Sequence, residues 1–270
     1  MGTSQSKRDG GPGRPLVPAW ADQDPAAPAP GEAPAPQAQP ANPPAPSEVT
    51  AARRLTPFRV ALGQYAATGS SGSARAALGH WARTGSGGTR ATVSRVARAA
   101  RTGGAALAGV SRAASGLAPV DGGLDVRSLA GQPVQAAIDR IVDAFCPAGI
   151  LDEEIARTAI GEALAEAMGD ADVFDPDAIS ARTVEVATLT FAAELVFLQV
   201  AGEAGQALAK APSPAAAVQR EADLRALVRE VADVVGTPII QAAGNVLTAA
   251  AMGSLVSRLV QAVSAEIATW

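Results

Sequence analysis

The sequence predicts an all-α C-terminal domain preceded by a disordered Pro/Ala-rich N-terminal tail and a Gly/Arg-rich middle segment. Three observations carry that prediction. The chain is 48% apolar but only 3% aromatic, with alanine supplying much of the difference, and alanine-rich chains favour closely packed helices. Residues 25–46 read PAAPAPGEAPAPQAQPANPPAP, which cannot build a core. Charge then divides the 270 residues into three parts: residues 1–50 carry −2, residues 51–120 hold ten arginines and no Asp or Glu, and residues 121–270 carry nine basic against twenty-one acidic residues.

The first part, 1–50, is a tip and a stalk. MGTSQS at the start fits the Met-Gly-x-x-x-Ser pattern for lipidation of Gly2. A single myristoyl chain binds membranes only marginally without a second signal, and Lys7, Arg8 and Arg14 form a thin basic patch interrupted by Asp9. Arginine outnumbers lysine throughout (Lys7 and Lys210 are the only lysines), a high-GC bacterial pattern, and bacteria generally lack N-myristoylation. The proline tract behind the tip extends at about 3.1 Å per residue, on the order of 70 Å in all. Without a basic region followed by an apolar run near the start, no secretory signal is read, and the expected compartment is the cytoplasm.

The second part, 51–120, contains a repeat. ALGQYAATGSSG at 61–72 returns as ALGHWARTGSGG at 77–88, an offset of sixteen residues with an aromatic, Tyr65 or Trp81, in each copy. Each copy reads as a short helical turn closed by a Thr-Gly-Ser loop whose glycines accept left-handed angles. Such loops flanked by Arg75, Arg83 and Arg90 are able to hold phosphate, and Tyr65 and Trp81 to stack on bases. No Gly-Lys-Ser/Thr occurs, so there is no Walker A loop. Arg95, Arg98 and Arg101 recur every three residues on one face of a predicted helix. Three partners suit that face: nucleic acid, an acidic partner protein, or the chain's own acidic C-terminal part.

The third part, 121–270, is predicted as successive helices. Pro133 opens one whose stripe is Val134, Ala137, Ile138, Ile141, Val142 and Phe145, ending at Pro147. Asp152 is placed to cap the next, with Ile155, Ala159, Ile160, Ala163, Leu164 and Met168 inward. DADVFDPD at 170–177 is not a calcium loop, because Phe174, Asp175 and Ala181 stand where an oxygen ligand, a glycine and a glutamate are required. Asp175 and Pro176 are read instead as cap and first turn of a helix running to about Lys210, with Leu189, Ala192, Ala193, Val196, Phe197 and Val200 inward. Ser213 and Pro214 open another. The uncharged run Val234–Ser257 is expected to be a buried helix rather than a membrane span, for it contains Pro238, Gln241 and Asn245 and no aromatic belt. Its glycines and alanines permit close helix contacts, including contacts between copies of the chain.

No catalytic residue, cofactor or metal ligand set emerges. Cys146 and His80 are each the only residue of their kind, and both read as structural. The chain is expected not to be an enzyme.

With MGTS at the terminus, PLVPAWA at 15–21, the ALG-x-aromatic repeat, AIDRIVDAFCPAG at 137–149, LDEEIARTAI at 151–160, EALAEAM at 162–168 and APSPAAAVQREADLRALVREV at 211–231, the sequence resembles the QatB family of Qat anti-phage defence systems over nearly its full length. The resemblance implies as partners an ATPase, a QueC-like protein and a TatD-like nuclease. In related operons QueC-like enzymes attach a deazaguanine base to the N-terminus of a partner, and the resemblance implies Gly2 as the expected modification site. Removal of Met1 would leave a glycine α-amine of pKa about 7.7–8.0, partly neutral and nucleophilic in the cell.

Overall fold

The apolar run expected to face inward around Leu189–Val200 becomes the helix about which the others are arranged. The structure, a computed structural model, describes residues 48–120, 123–146 and 151–270. Within these, α1 is Glu48–Thr68, α2 Ser71–His80, α3 Thr89–Ala114, α4 Val134–Phe145, α5 Leu151–Met168, α6 Ala181–Ala204, α7 Pro214–Ala243 and α8 Ala249–Ile267. A π-helical turn, Trp81–Gly85, joins α2 to the loop before α3, and short 3-10 turns sit at Val126–Leu129 and Ala207–Lys210. No strand occurs among the described residues beyond one isolated bridge, Pro133 with Val173.

Every residue of α6 from Ala187 to Phe197 is buried, Glu194 included. A helix apolar on all sides belongs in a core or a membrane. Here α3, α5, α7 and α8 all pack on it, which identifies α6 as the core helix, although its length and composition alone would suit a membrane span. The faces expected of α4 and α5 are buried at Ala137, Ile138, Ile141, Val142, Ala159, Ile160, Ala163 and Leu164.

The start and end of α6 differ from the sequence expectation. Asp175 closes a turn, accepting the Asp177 N–H at 2.9 Å, while Ser180 caps α6. Ser180 Oγ accepts the Thr183 N–H at 3.1 Å and the Thr183 hydroxyl accepts the Ser180 N–H at 3.2 Å, a reciprocal box that outcompetes an Asp-Pro start. At the far end Gly205 (φ 58°) stops the helix short of Lys210. The uncharged run 234–257 is likewise two helices, not one: Gly244 (φ 64°) ends α7, and Thr248 Oγ1 accepts the Ala251 N–H to start α8.

The basic part 51–120 is more helical than expected. Its helices α1 and α3 are 21 and 26 residues long, and Phe58, Leu62, Leu78, Val96 and Leu107 join Ile138, Phe191 and Leu259 in one core. The boundary in charge at residue 120 is therefore not a boundary in packing. The tail with Gly2 and the proline stalk lies outside the described residues.

Small residues let the helices meet. A Cβ on Gly103 would stand 2.1 Å from Phe191 Cζ, and one on Gly104 2.7 Å from the Gly253 nitrogen. Of the three glycines in the uncharged run 234–257, Gly236 and Gly253 are occupied within the chain by Leu189 and by the α3 backbone, while Gly244 ends α7 and a Cβ there would meet nothing within 4 Å.

Candidate interaction surface

Helix α3 carries most of the arginines singled out from the sequence, and its own composition decides where they go. Alanine favours the helix, and Gly87 and Gly88, at φ 81° and 88°, set its start. Val96, Ala99, Ala100, Gly103, Leu107 and Val110 form the buried face, which leaves the arginines on the rest of the perimeter. Arg90, Arg95, Arg98 and Arg101 are exposed.

Several basic residues of 51–120 turn back onto the C-terminal part. Glu203, near the end of α6, is the hub: Trp81 Nε1 donates to its Oε2 at 2.7 Å, Arg95 pairs with its Oε1, and Arg59 Nε donates to its carbonyl at 3.0 Å. Arg83 Nη1 donates to the Ala268 carbonyl at 2.9 Å, satisfying an acceptor at the negative end of α8. The Arg75 guanidinium lies over the Trp270 ring, 5.6 Å from its centroid. Of the three partners open to the face of Arg95, Arg98 and Arg101, the chain's own C-terminal part takes up Arg95, and the loop-flanking Arg83 turns to it as well.

Tyr65 and Trp81 do not have the role expected of exposed stacking residues. Both are buried, at 2% and 0% exposure. Their polar ends are used internally, Trp81 on Glu203 and the Tyr65 hydroxyl on the Arg220 carbonyl at 3.0 Å. Burial also raises the Tyr65 phenol above its ordinary pKa, with nearby Asp223 adding to the rise. The repeat thus places two aromatics in the core, where a base cannot reach them.

Arg90 and Arg101 remain without a hydrogen bond or ion pair among the described residues. Arg258 is exposed on α8 and was not found from the sequence, where it stands alone at the edge of an uncharged run. The crossing at Gly253 and Arg101 brings it into the same region.

Two further features come from residues far apart in the chain. Glu194 is fully buried; its Oε1 accepts from Arg229 Nη2 at 3.1 Å, and Arg225 Nε lies 3.7 Å from its Oε2. Arg229 also reaches Glu166 at 3.0 Å, tying α5, α6 and α7 together. Burial raises the Glu194 carboxyl above the ordinary range, against the lowering effect of the two arginines. A cleft of about 420 Å³ opens beside the bend between α7 and α8. There Ser111 Oγ and Asn245 Oδ1 are 3.2 Å apart, as are Asn245 Nδ2 and Ser115 Oγ.

Cys146 is buried, and its carbonyl accepts from Arg157 Nη1 at 2.6 Å. No three of His, Cys, Asp and Glu gather at metal-binding distance among the described residues.

Fold and surface together define an all-α body in which the basic helix α3 is joined to the acidic part through Arg95 and Glu203 and leaves Arg90, Arg98 and Arg101 exposed. The chain belongs to the QatB family: the model of Qat anti-phage system associated protein QatB matches residues 87–264. Membership makes it a component of an anti-phage defence system, with other Qat components as partners. The matched span takes in α3 to α7 and most of α8, and Gly2 lies outside it. Neither the curated proteins nor the solved structures gave a match.

Proposed function

We propose that the chain is a non-enzymatic structural or adaptor subunit of the Qat assembly and that it presents Gly2 to a QueC-like partner for covalent modification. The observation that carries the reading is the joining, in one sequence, of the small-residue start MGTSQS, the proline tract 25–46 and a helical body of the QatB family. Glycine has no side chain to obstruct an enzyme cleft. Once Met1 is removed, the α-amine attacks the activated base; a C–N bond forms, the activating group leaves, and the amine's proton passes to solvent. An ATPase and a TatD-like nuclease complete the set of partners, and the cytoplasm is the proposed compartment.

Intact-mass and N-terminal peptide mass spectrometry of the chain co-expressed with its QueC-like partner tests this. A nucleobase-type mass on Gly2 is expected. Gly2→Pro should abolish defence while helical circular dichroism stays unchanged. An unmodified Gly2 in an active system overturns the reading, and a myristoyl mass replaces it with the lipid anchor.

A further inference from the structure

We propose that the exposed face shared by α3 and α8 is a sequence-independent docking surface for the phosphate backbone of a nucleic-acid duplex. Arg90 and Arg101 are exposed on α3, and Arg258 on α8. Arg90 and Arg101 are eleven residues apart, three helical turns, so they project on one side of α3 at a separation of about 16 Å.

The two helices run antiparallel. The Gly253 backbone meets α3 at Arg101 and Gly104, whereas the end of α8 meets Gly79 and Arg83, ahead of the start of α3. Arg258, five residues beyond Gly253, therefore lies alongside the half of α3 that carries the other arginines. Acidic residues are nearly missing from these helices: α3 has none and α8 has only Glu266.

Duplex DNA carries one negative charge per roughly 1.7 Å of axis, so a ridge of this length meets phosphates from several positions. The guanidinium fork suits phosphate.

The same face is poorly suited to a protein partner. Protein interfaces centre on a desolvated apolar or aromatic cluster. Among the described residues the large exposed hydrophobics are Val60, Leu117, Val120, Val173, Val218 and Val234, none of them on α3 or α8. Single strands are disfavoured on this face as well, since they bind by stacking on aromatics and neither α3 nor α8 carries one. What remains is charge on a rigid rod, which reads phosphate without reading sequence.

The test is fluorescence anisotropy of the full chain with a labelled duplex DNA of about 20 bp, titrated with NaCl. Three neutralised phosphates, one each for Arg90, Arg101 and Arg258, give a slope of log K against log salt of about −2.7, a loss of roughly 40-fold between 50 and 200 mM. The triple variant R90A/R101A/R258A should flatten the slope to about 0, and R101A alone should remove about one phosphate's worth, about 0.9. R140A, an exposed arginine on α4, should leave it unchanged, and so should Gly2→Pro, which separates this proposal from the modification of the tip. Circular dichroism of the variants verifies folding, and R90Q/R101Q/R258Q serves if the alanine variant is not helical. Absence of binding at low salt, an unchanged slope in the triple variant, or tighter binding of a single strand of equal length overturns the proposal. So does loss of a protein partner through these arginines when DNA does not bind at all.

Discussion

Glu203→Ala tests whether the basic part is bound to the acidic part by the hub seen on α6. Trp81 is fully buried and donates Nε1–H to Glu203 Oε2 at 2.7 Å. Removing the carboxylate strands that N–H, at about 1–3 kcal/mol for an unsatisfied buried donor. The Arg95 pair adds less: the two side chains are 37% and 21% exposed, and pairs of that kind contribute about 0–1 kcal/mol. Glu203→Ala should therefore cost about 2–3 kcal/mol in urea or guanidinium unfolding, Glu203→Gln about 1, and Arg95→Ala less than 1. Glu203→Gln retains an oxygen for Trp81 and loses only the charge. The decisive measurement is a double-mutant cycle. In the Glu203→Ala background Trp81→Phe removes the stranded donor, so its cost should be smaller than in the parent by about 1 kcal/mol or more. Strict additivity of the two substitutions would refute the hub, as would a loss in Arg95→Ala equal to that in Glu203→Ala.

Gly104→Ala and Gly161→Ala should have opposite signs in the same unfolding assay. Both gain helix propensity of about 1 kcal/mol, but the new methyl on Gly104 meets the Gly253 backbone while that on Gly161 meets nothing within 4 Å, so the first is destabilised by about 1–2 kcal/mol net and the second is stabilised. Arg229→Ala should be increasingly destabilising as pH rises from the ordinary carboxylate range toward neutrality. The folded pKa of Glu194 is already raised, so the folded state binds more protons and this group's contribution to stability falls as pH rises; loss of Arg229 raises that pKa further and deepens the fall. Thermal melts across that pH range check the direction. Tyr65→Phe should lose about 1 kcal/mol for its hydrogen bond to the Arg220 carbonyl, measured by the same unfolding.

Much of the fold was legible in the sequence because helical periodicity is local. The stripes through Ile138 and Ile141, Ala159 and Ile160, and Leu189 and Val196 are the buried faces. Ser213 caps α7 ahead of Pro214 as expected, accepting the Ala216 N–H at 3.1 Å. Boundaries were less legible where two start signals competed, as Asp175-Pro176 did with Ser180-x-x-Thr183. The candidate surface was visible only as a list of arginines: nothing near Arg95 announces Glu203, 108 residues away.

The sequence by itself determined the helical class, the partition of charge and the inward faces of the central helices, since these depend on side-chain spacing and composition within a few turns. The tertiary structure decided the fate of individual polar and aromatic groups. An aromatic in a Gly-Ser repeat is equally suited to stack on a ligand or to fill a core until the packing of α6 and α7 buries Tyr65 and Trp81 and gives their donors acceptors. An arginine on a helix face is equally suited to an internal or an external anion until the fold brings a carboxylate to it, as it does for Arg95 and not for Arg101. Desolvation and pairing depend on three-dimensional neighbours, and those neighbours come from turns of chain far removed in sequence.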